Sequence, residues 1–554
     1  MTQGLRTIAW FLGIAVTTGT GCAADLATDL RALVGRSPDV GVQIIDCTTG
    51  ASVFSHNAEK RFTPASNLKV FTTAAALELV GADYEFRTGL LALTEGTKTT
   101  LTLVGSGDPA LFDQELILPN NAHGNWTTVA AACDAWAASL RHAGLEQIDE
   151  FILDARIFDT EPIPSGDEKW LANRTAGTYA SGVWGFNLAG NAATLSFNWS
   201  PGARPTIANS EPPIAWRVVS NTASCGKDGE FGVGYGKATG ELRLSGSLPR
   251  ATKTAPVAIL DPLPLAAEMF ARELSRRGIA IAKCRPAVPS DRKPDGRVIG
   301  PILTTRIQTV LRGANTYSKN ICADALVKLL GAYRLNPMRP SIGPSFQPGT
   351  FAAGEAALKD FVERRIGAGC SGPLCARDGS GLSADNKVTA DLTARLIAVM
   401  AKDDLCPNYL SSFAVPKQAS VSRPQLSLLR GALVDDPSTE SDPPIVESRE
   451  FRDGEREALA GTMGKRFEGA NLDGFGVYCK SGYIDGASCL SGMVLDLDKD
   501  TPLRPISFSV LCCTGPPRGL DVAAAKQLQQ RIVEKIVAHM RTLRTQHIPI
   551  ASGH

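Results

Sequence analysis

The chain has 554 residues, too many for one ordinary core, so two or three domains are expected. Its composition is globular, 44% hydrophobic and 20% charged, with no low-complexity tract. The 57 basic and 56 acidic residues leave a net charge of +1 and no basic run, which excludes a nucleic-acid partner.

The first residues read as an export signal over 1–24. Arg6 supplies a positive start, Ile8 to Val16 an apolar stretch, and Thr17 to Ala24 small residues where a signal peptidase cuts. The apolar run is too short to span a bilayer. No integral membrane span is expected after signal removal, and the location is exported, periplasmic or cell-envelope. Gly19-Thr20-Gly21-Cys22 lacks the bulky aliphatic residue that opens a lipoprotein cleavage site, so a lipid anchor on Cys22 is the lesser reading. Thirteen cysteines leave twelve beyond Ala24, an even count that suggests disulfides in an exported chain. Cys370 and Cys375 are near enough to close a small loop. No CxxC pair and no Cys/His cluster at zinc spacing occurs, so neither metal nor cofactor is expected.

Gly41 to Asp46 is β-rich, Thr48-Thr49-Gly50 turns, and Ser52-Val53-Phe54 resumes extended chain, which together predict a hairpin. An alanine-rich helix follows to Gly81, with Thr63 as its N-cap and Pro64 in its first turn. From about Phe86 to Pro289, short alternating runs such as Leu101 to Val104 and Thr194 to Phe197 alternate with Gly, Pro and Asn turns; Val129 to His142 reads as a helix. Pro286 to Gly300 reads as a linker. Helical patterning returns over Ile307 to Leu330 and Gly354 to Ile366, and Asp435 to Glu457 reads as a polar surface loop. Gly476 to Tyr483 and Ser488 to Leu495 are strands joined through Asp485-Gly486, Ile506 to Cys512 is another, and Val522 to Leu543 is an amphipathic packing helix.

A serine that cleaves amides needs a base beside it, because a free hydroxyl is scarcely ionised at neutral pH. Residues three apart on a helix share a face, so Ser66 and Lys69 meet. A lysine kept neutral by burial or by nearby cations takes the serine proton. Ser-x-x-Lys alone is a weak motif, and Ser224 to Lys227 matches it too, in a glycine-containing turn. Two further elements lift Ser66: Ser318-Lys319-Asn320 in a helical region, and Lys480-Ser481-Gly482 on a hairpin strand. Their order matches the penicillin-binding and β-lactamase pattern. Asp378 and Asp385 sit among glycines and read as loop architecture. No HExxH and no Gly-x-Ser-x-Gly occurs.

With these motifs the chain resembles the penicillin-binding protein 4 type of D-alanyl-D-alanine carboxypeptidase, whose peptidase domain carries a large insertion after the nucleophile motif. Phe62 to Lys69, Gly105 to Leu111 and Asp378 to Asn386 carry the likeness, which runs from Gly41 to Thr514. Two departures are Ser481 where threonine is usual and Lys319 where aspartate is frequent; the Lys319 side chain should point away from Ser318 and Asn320.

The resemblance implies an α/β (α+β) fold: a β-lactamase/transpeptidase-like domain with an antiparallel sheet and helical cluster, split into 25–88 and 300–554 around a β-rich insertion at 89–299. It implies that Ser66 forms the acyl-enzyme, Lys69 is the acylation base, Ser318 relays a proton to the leaving amine and Asn320 holds the substrate amide. Lys480 and Ser481 would grip the terminal carboxylate in front of Gly482, and the backbone N–H groups of Ser66 and Tyr483 would hold the oxyanion. The implied partners are peptidoglycan peptides and β-lactam inhibitors. A β-lactamase-like or esterase activity and a non-catalytic wall-binding role stay open at this point.

Overall fold

The structure of the protein, a computed structural model, describes residues 20–117, 126–167, 170, 178–250, 254–336, 346–420, 459–498, 503–516 and 519–547. The predicted polar loop at 435–457 and the apolar start of the export signal lie outside them.

Along the chain, helix α1 (Thr20–Val34) leads into strands β1 (Val40–Asp46) and β2 (Ser52–His56), and α2 (Lys69–Leu79) follows. Next come β3 (Glu85–Glu95), β4 (Lys98–Val104), α3 (Val129–His142) and β5 (Glu150–Asp154). Short strands fill 192–258 before α4 (Pro262–Ser275), β6 (Cys284–Pro286) and β7 (Arg297–Arg306). Helices α5 (Ile307–Asn315), α6 (Asn320–Leu335), α7 (Phe351–Arg365) and α8 (Ala390–Met400) form a cluster. The chain closes with β8 (Phe475–Ile484), β9 (Ala487–Asp496), β10 (Ile506–Cys513) and α9 (Val522–His547).

The principal sheet runs β8-β9-β10-β1-β2, antiparallel throughout, so the first strands of the chain complete it at one edge, beside its last strand. Both its faces are covered, which is why β9 and β10 are buried almost end to end rather than alternating. On one face lie α1 and α9; Ile532, Ile536 and Met540 of α9 are buried there, and Lys535 of α9 pairs with Asp29 of α1 at 2.7 Å. On the other lie α8, α2 and α6, which share a single apolar core with the sheet.

A second core runs from Leu90 to Leu303 and is built on the sheet β6-β5-β4-β3-β7, with α3 and α4 packed on it. Charged side chains fasten it to the first. Lys319 reaches Asp113 and Glu115 at 2.7 and 2.8 Å, and the fully buried Lys328 reaches Asp159 at 2.5 Å and donates to the Glu161 carbonyl. In the Gly105 to Leu111 stretch, Asp108 accepts a 2.6 Å bond from Thr305 Oγ1, so this segment ties β7 to the turn after β4.

Four local expectations are revised. Thr63 is not an N-cap: its hydroxyl faces Lys387 Nζ at 2.9 Å, and Ala65–Leu68 form a 3₁₀ turn ahead of α2, entered through Ala65 at φ +47°. Ser318 does not lie within a helix but in the break between α5 and α6, at φ +59°. The proposed linker at Pro286 to Gly300 is partly strand, because β7 begins at Arg297. The twelve described cysteines, Cys47 to Cys513, are all free thiols; Cys479, Cys489 and Cys512 sit as small apolar groups in the core of the principal sheet. Among the described residues no helix is long and apolar enough to cross a membrane, and no group of three His, Cys, Asp or Glu is arranged to hold a metal.

Candidate active site

Three segments distant in sequence converge where the 3₁₀ turn meets β8. Ser66 sits half-buried in that turn, and Lys69, the first residue of α2, lies beneath it with no exposed surface. Lys69 Nζ donates to Ser66 Oγ at 2.8 Å, to Asn320 Oδ1 at 2.7 Å and to the Ser380 carbonyl at 2.7 Å. Those three bonds use every proton of an ammonium. When Lys69 is neutral, two N–H groups remain for the fixed acceptors Asn320 and Ser380, and its lone pair is left facing Ser66.

On the other side of Ser66, the Ser318 hydroxyl lies 3.2 Å from Ser66 Oγ and accepts a 3.0 Å bond from Lys480 Nζ. A continuous path therefore runs Lys480–Ser318–Ser66–Lys69. The left-handed backbone at Ser318 directs this hydroxyl into the path, a strain of about 1–3 kcal/mol for a non-glycine residue that the surrounding packing sustains. Lys480 also donates to the Ser481 carbonyl at 2.7 Å, and the Ser481 hydroxyl lies 3.3 Å from that of Thr462.

Burial lowers Lys69 from the usual lysine range to about 8, with Asp324 and Asp378 pulling it back up. Burial also drives Lys480 well below its ordinary value, and the neighbouring Lys69 charge pushes the same way. The Lys69 charge thus makes Lys480 easier to deprotonate.

Two glycines let the segments meet. A Cβ on Gly482 would lie 2.9 Å from the Ser66 amide nitrogen, so β8 passes directly against the backbone donor of the nucleophile turn. Tyr483 is the next residue on that strand, with its ring largely exposed under the Lys526 ammonium. A Cβ on Gly381, at φ +84°, would lie 1.7 Å from the Ala65 carbonyl oxygen. Gly381→Ala is therefore expected to displace the Ser66 turn and to cost about 2 kcal/mol of stability. Thermal melting together with penicillin labelling checks both effects; a variant that melts and labels like the parent contradicts the packing.

A family model described as the D-Ala-D-Ala carboxypeptidase 3 (S13) family matches residues 24–525. The chain belongs to that family. It is a serine peptidase of the D-Ala-D-Ala carboxypeptidase class, with peptidoglycan as the target of its DD-peptidase activity. A D-alanyl-D-alanine carboxypeptidase of Actinomadura sp. (strain R39) is 26% identical over 491 residues, covering 85% of this chain and 77% of the relative. Among solved structures, penicillin binding protein 4 from Haemophilus influenzae superposes with a TM-score of 0.64 at 18% identity, covering 92% of this chain and 99% of the other. The same Haemophilus protein complexed with a β-lactam superposes at 0.57 with 18% identity, covering 94% and 99%. The mixed α/β architecture expected from the sequence is the one these S13 relatives share.

All five residues singled out for chemistry, Ser66, Lys69, Ser318, Asn320 and Lys480, lie within this one bonded network, and Ser481, Gly482 and Tyr483 follow on β8. Lys319 points away from them to Asp113, as expected from the sequence. Sequence reasoning missed four participants. Ser380 contributes only a carbonyl, which no side-chain pattern signals. Thr462 lies far from any motif. The Tyr179 carbonyl, from an exposed turn between β5 and α4, accepts from Asn320 Nδ2 at 3.1 Å. Asp324 had a usable signal, since it lies one helical turn past Asn320 on the same face of α6.

Proposed function

We propose that the protein cleaves D-Ala-D-Ala termini, and D-Ala cross-links, of peptidoglycan through an acyl-enzyme on Ser66. The observation that carries this reading is the unbroken Lys480–Ser318–Ser66–Lys69 path centred on the half-buried Ser66 hydroxyl.

Neutral Lys69 removes the Ser66 proton as Oγ bonds to the carbonyl carbon between the two D-alanines. The oxyanion rests on the amides of Ser66 and Tyr483. The carbon–nitrogen bond then breaks, and the proton reaches the departing amine through Ser318. D-alanine leaves from a pentapeptide, and a cross-linked stem leaves when the substrate is a dimer. Water completes hydrolysis of the ester and returns Ser66 to its free form. Asn320 holds the substrate amide, and Lys480 with the Ser481 hydroxyl grips the terminal carboxylate.

A β-lactam offers a similar carboxylate and a strained amide, so the same attack leaves a penicilloyl ester on Ser66. The β-lactam complex of the Haemophilus relative supports that part of the reading. Substrate of this kind lies outside the cytoplasm, which agrees with an export signal at 1–24 and a cell-envelope location. In this reading residues 89–299 are an insertion in a domain formed by 25–88 and 300–554.

The test is product analysis with purified protein on a pentapeptide and a cross-linked dimer side by side, alongside labelled penicillin. Released D-alanine and a long-lived penicilloyl adduct are expected. Rapid turnover of the penicillin without D-alanine release identifies a β-lactamase instead, and inertness towards all three substrates indicates a wall-binding protein.

A further inference from the structure

Behind the nucleophile lie two buried carboxylates that the reaction described above does not use. Asp378 and Asp324 are at most 1% exposed, and both face the Lys69 ammonium. Asp378 is fully committed to its own loop: it accepts from the amides of Ser380, Gly381 and Ser383 and from Asn386 Nδ2, at 2.6–3.1 Å. Asp324 comes from a different element, α6, one turn past Asn320. It reaches across to accept from the Gly379 amide at 3.0 Å and from the Ser380 hydroxyl.

The residue held in this way is the one whose carbonyl meets Lys69. That carbonyl and Asn320 Oδ1 are the two acceptors that leave the lysine lone pair facing Ser66. Both acceptors are thus fixed by a single helix: Asn320 directly, and Ser380 through Asp324. The loop has no other bonded tie to α6 at this point, whereas Thr72 of α2 secures the Gly379 carbonyl at 2.8 Å.

We propose that Asp324 is a positioning residue for acylation: by clamping Gly379 and Ser380 onto α6, it holds the Ser380 carbonyl where that carbonyl aims Lys69 at Ser66. The clamp works through accepted hydrogen bonds, so an amide oxygen in the same place retains it. Burying an isolated carboxylate here is costly, and its retention beside Asp378 follows from the need for an acceptor of this reach. The inference rests on the reading of Ser66 as nucleophile and Lys69 as base.

The experiment is rapid-mixing acylation by a chromogenic cephalosporin, separating encounter affinity from the acylation rate constant, for wild type, Asp324→Ala and Asp324→Asn. Misaiming a base by about 1 Å costs on the order of 10²-fold. Asp324→Ala should lower the acylation rate constant by about that factor with the encounter affinity unchanged, and Asp324→Asn should restore it to within a few-fold. A wild-type rate in Asp324→Ala overturns the inference. So does an asparagine variant as slow as the alanine one, because the carboxylate would then act through its charge. If Asp324→Ala fails to fold, Thr72→Val removes the opposite support of the same turn. It should slow the same step, and an unchanged rate in it overturns the inference equally. Wild-type protein that forms no adduct at all points to failure of the nucleophile assignment, not of this one.

Discussion

Ser66→Ala is expected to lose penicillin labelling and D-alanine release by about 10³-fold or more. The loss follows from the bonding around a single oxygen. Lys69 and Ser318 both direct their polar groups at Ser66 Oγ, and it is the hydroxyl on which the two bonded arms of the network meet. Removing the hydroxyl takes away the atom proposed to form the ester, while the turn that carries it is held by Gly381 and Gly482 packing and not by the side chain. The variant should therefore fold and melt like the parent. Intact mass after penicillin exposure reads the adduct, and amino-acid analysis reads the product. A variant that still released D-alanine would rule out the mechanism.

Lys69→Met is expected to slow acylation by about 10²–10⁴-fold, the usual contribution of a positioned base. Methionine fills much of the same buried space without the amine. In the proposed mechanism the base is the neutral amine, and its fraction grows as pH rises through the lysine pKa. Burial brings that value down to about 8. Acylation should then climb as pH rises towards 8 and level off above it, with roughly one lysine in ten already neutral at pH 7. The opposite sign, a rate that falls over this interval, would mean the ammonium form is the active one. Rapid-mixing rates between about pH 6 and 9 for both proteins decide the matter, since the rising limb should vanish in Lys69→Met.

Much of this site was legible before any coordinates. That Ser66 meets Lys69 follows from helical spacing, and the two later motifs single this pair out from Ser224 and Lys227, although a 3₁₀ turn, not a capped helix, sets their geometry. Lys480 was readable from a motif on a hairpin whose register the Asp485-Gly486 turn fixes, Tyr483 opposite Ser488. Other features were not readable. A left-handed Ser318 has no compositional signature, because the strain is imposed by packing from elsewhere. The Ser380 carbonyl belongs to the backbone, and Thr462 and Tyr179 arrive from regions with no local pattern tied to the nucleophile. Cysteine count misled for a related reason: parity says nothing of geometry, and pairing needs two thiols facing at bonding distance, whereas the twelve from Cys47 to Cys513 are free.

The place of β1 in the principal sheet bears on how the enzyme comes into being. Val42 pairs with His56 on one side and with Val510 on the other, so the strand is completed only by residues near the far end of the chain. A ribosome thus releases Ser66 long before the strand bearing Lys480, so the bonded path between them is expected to assemble only once the last strands have been made.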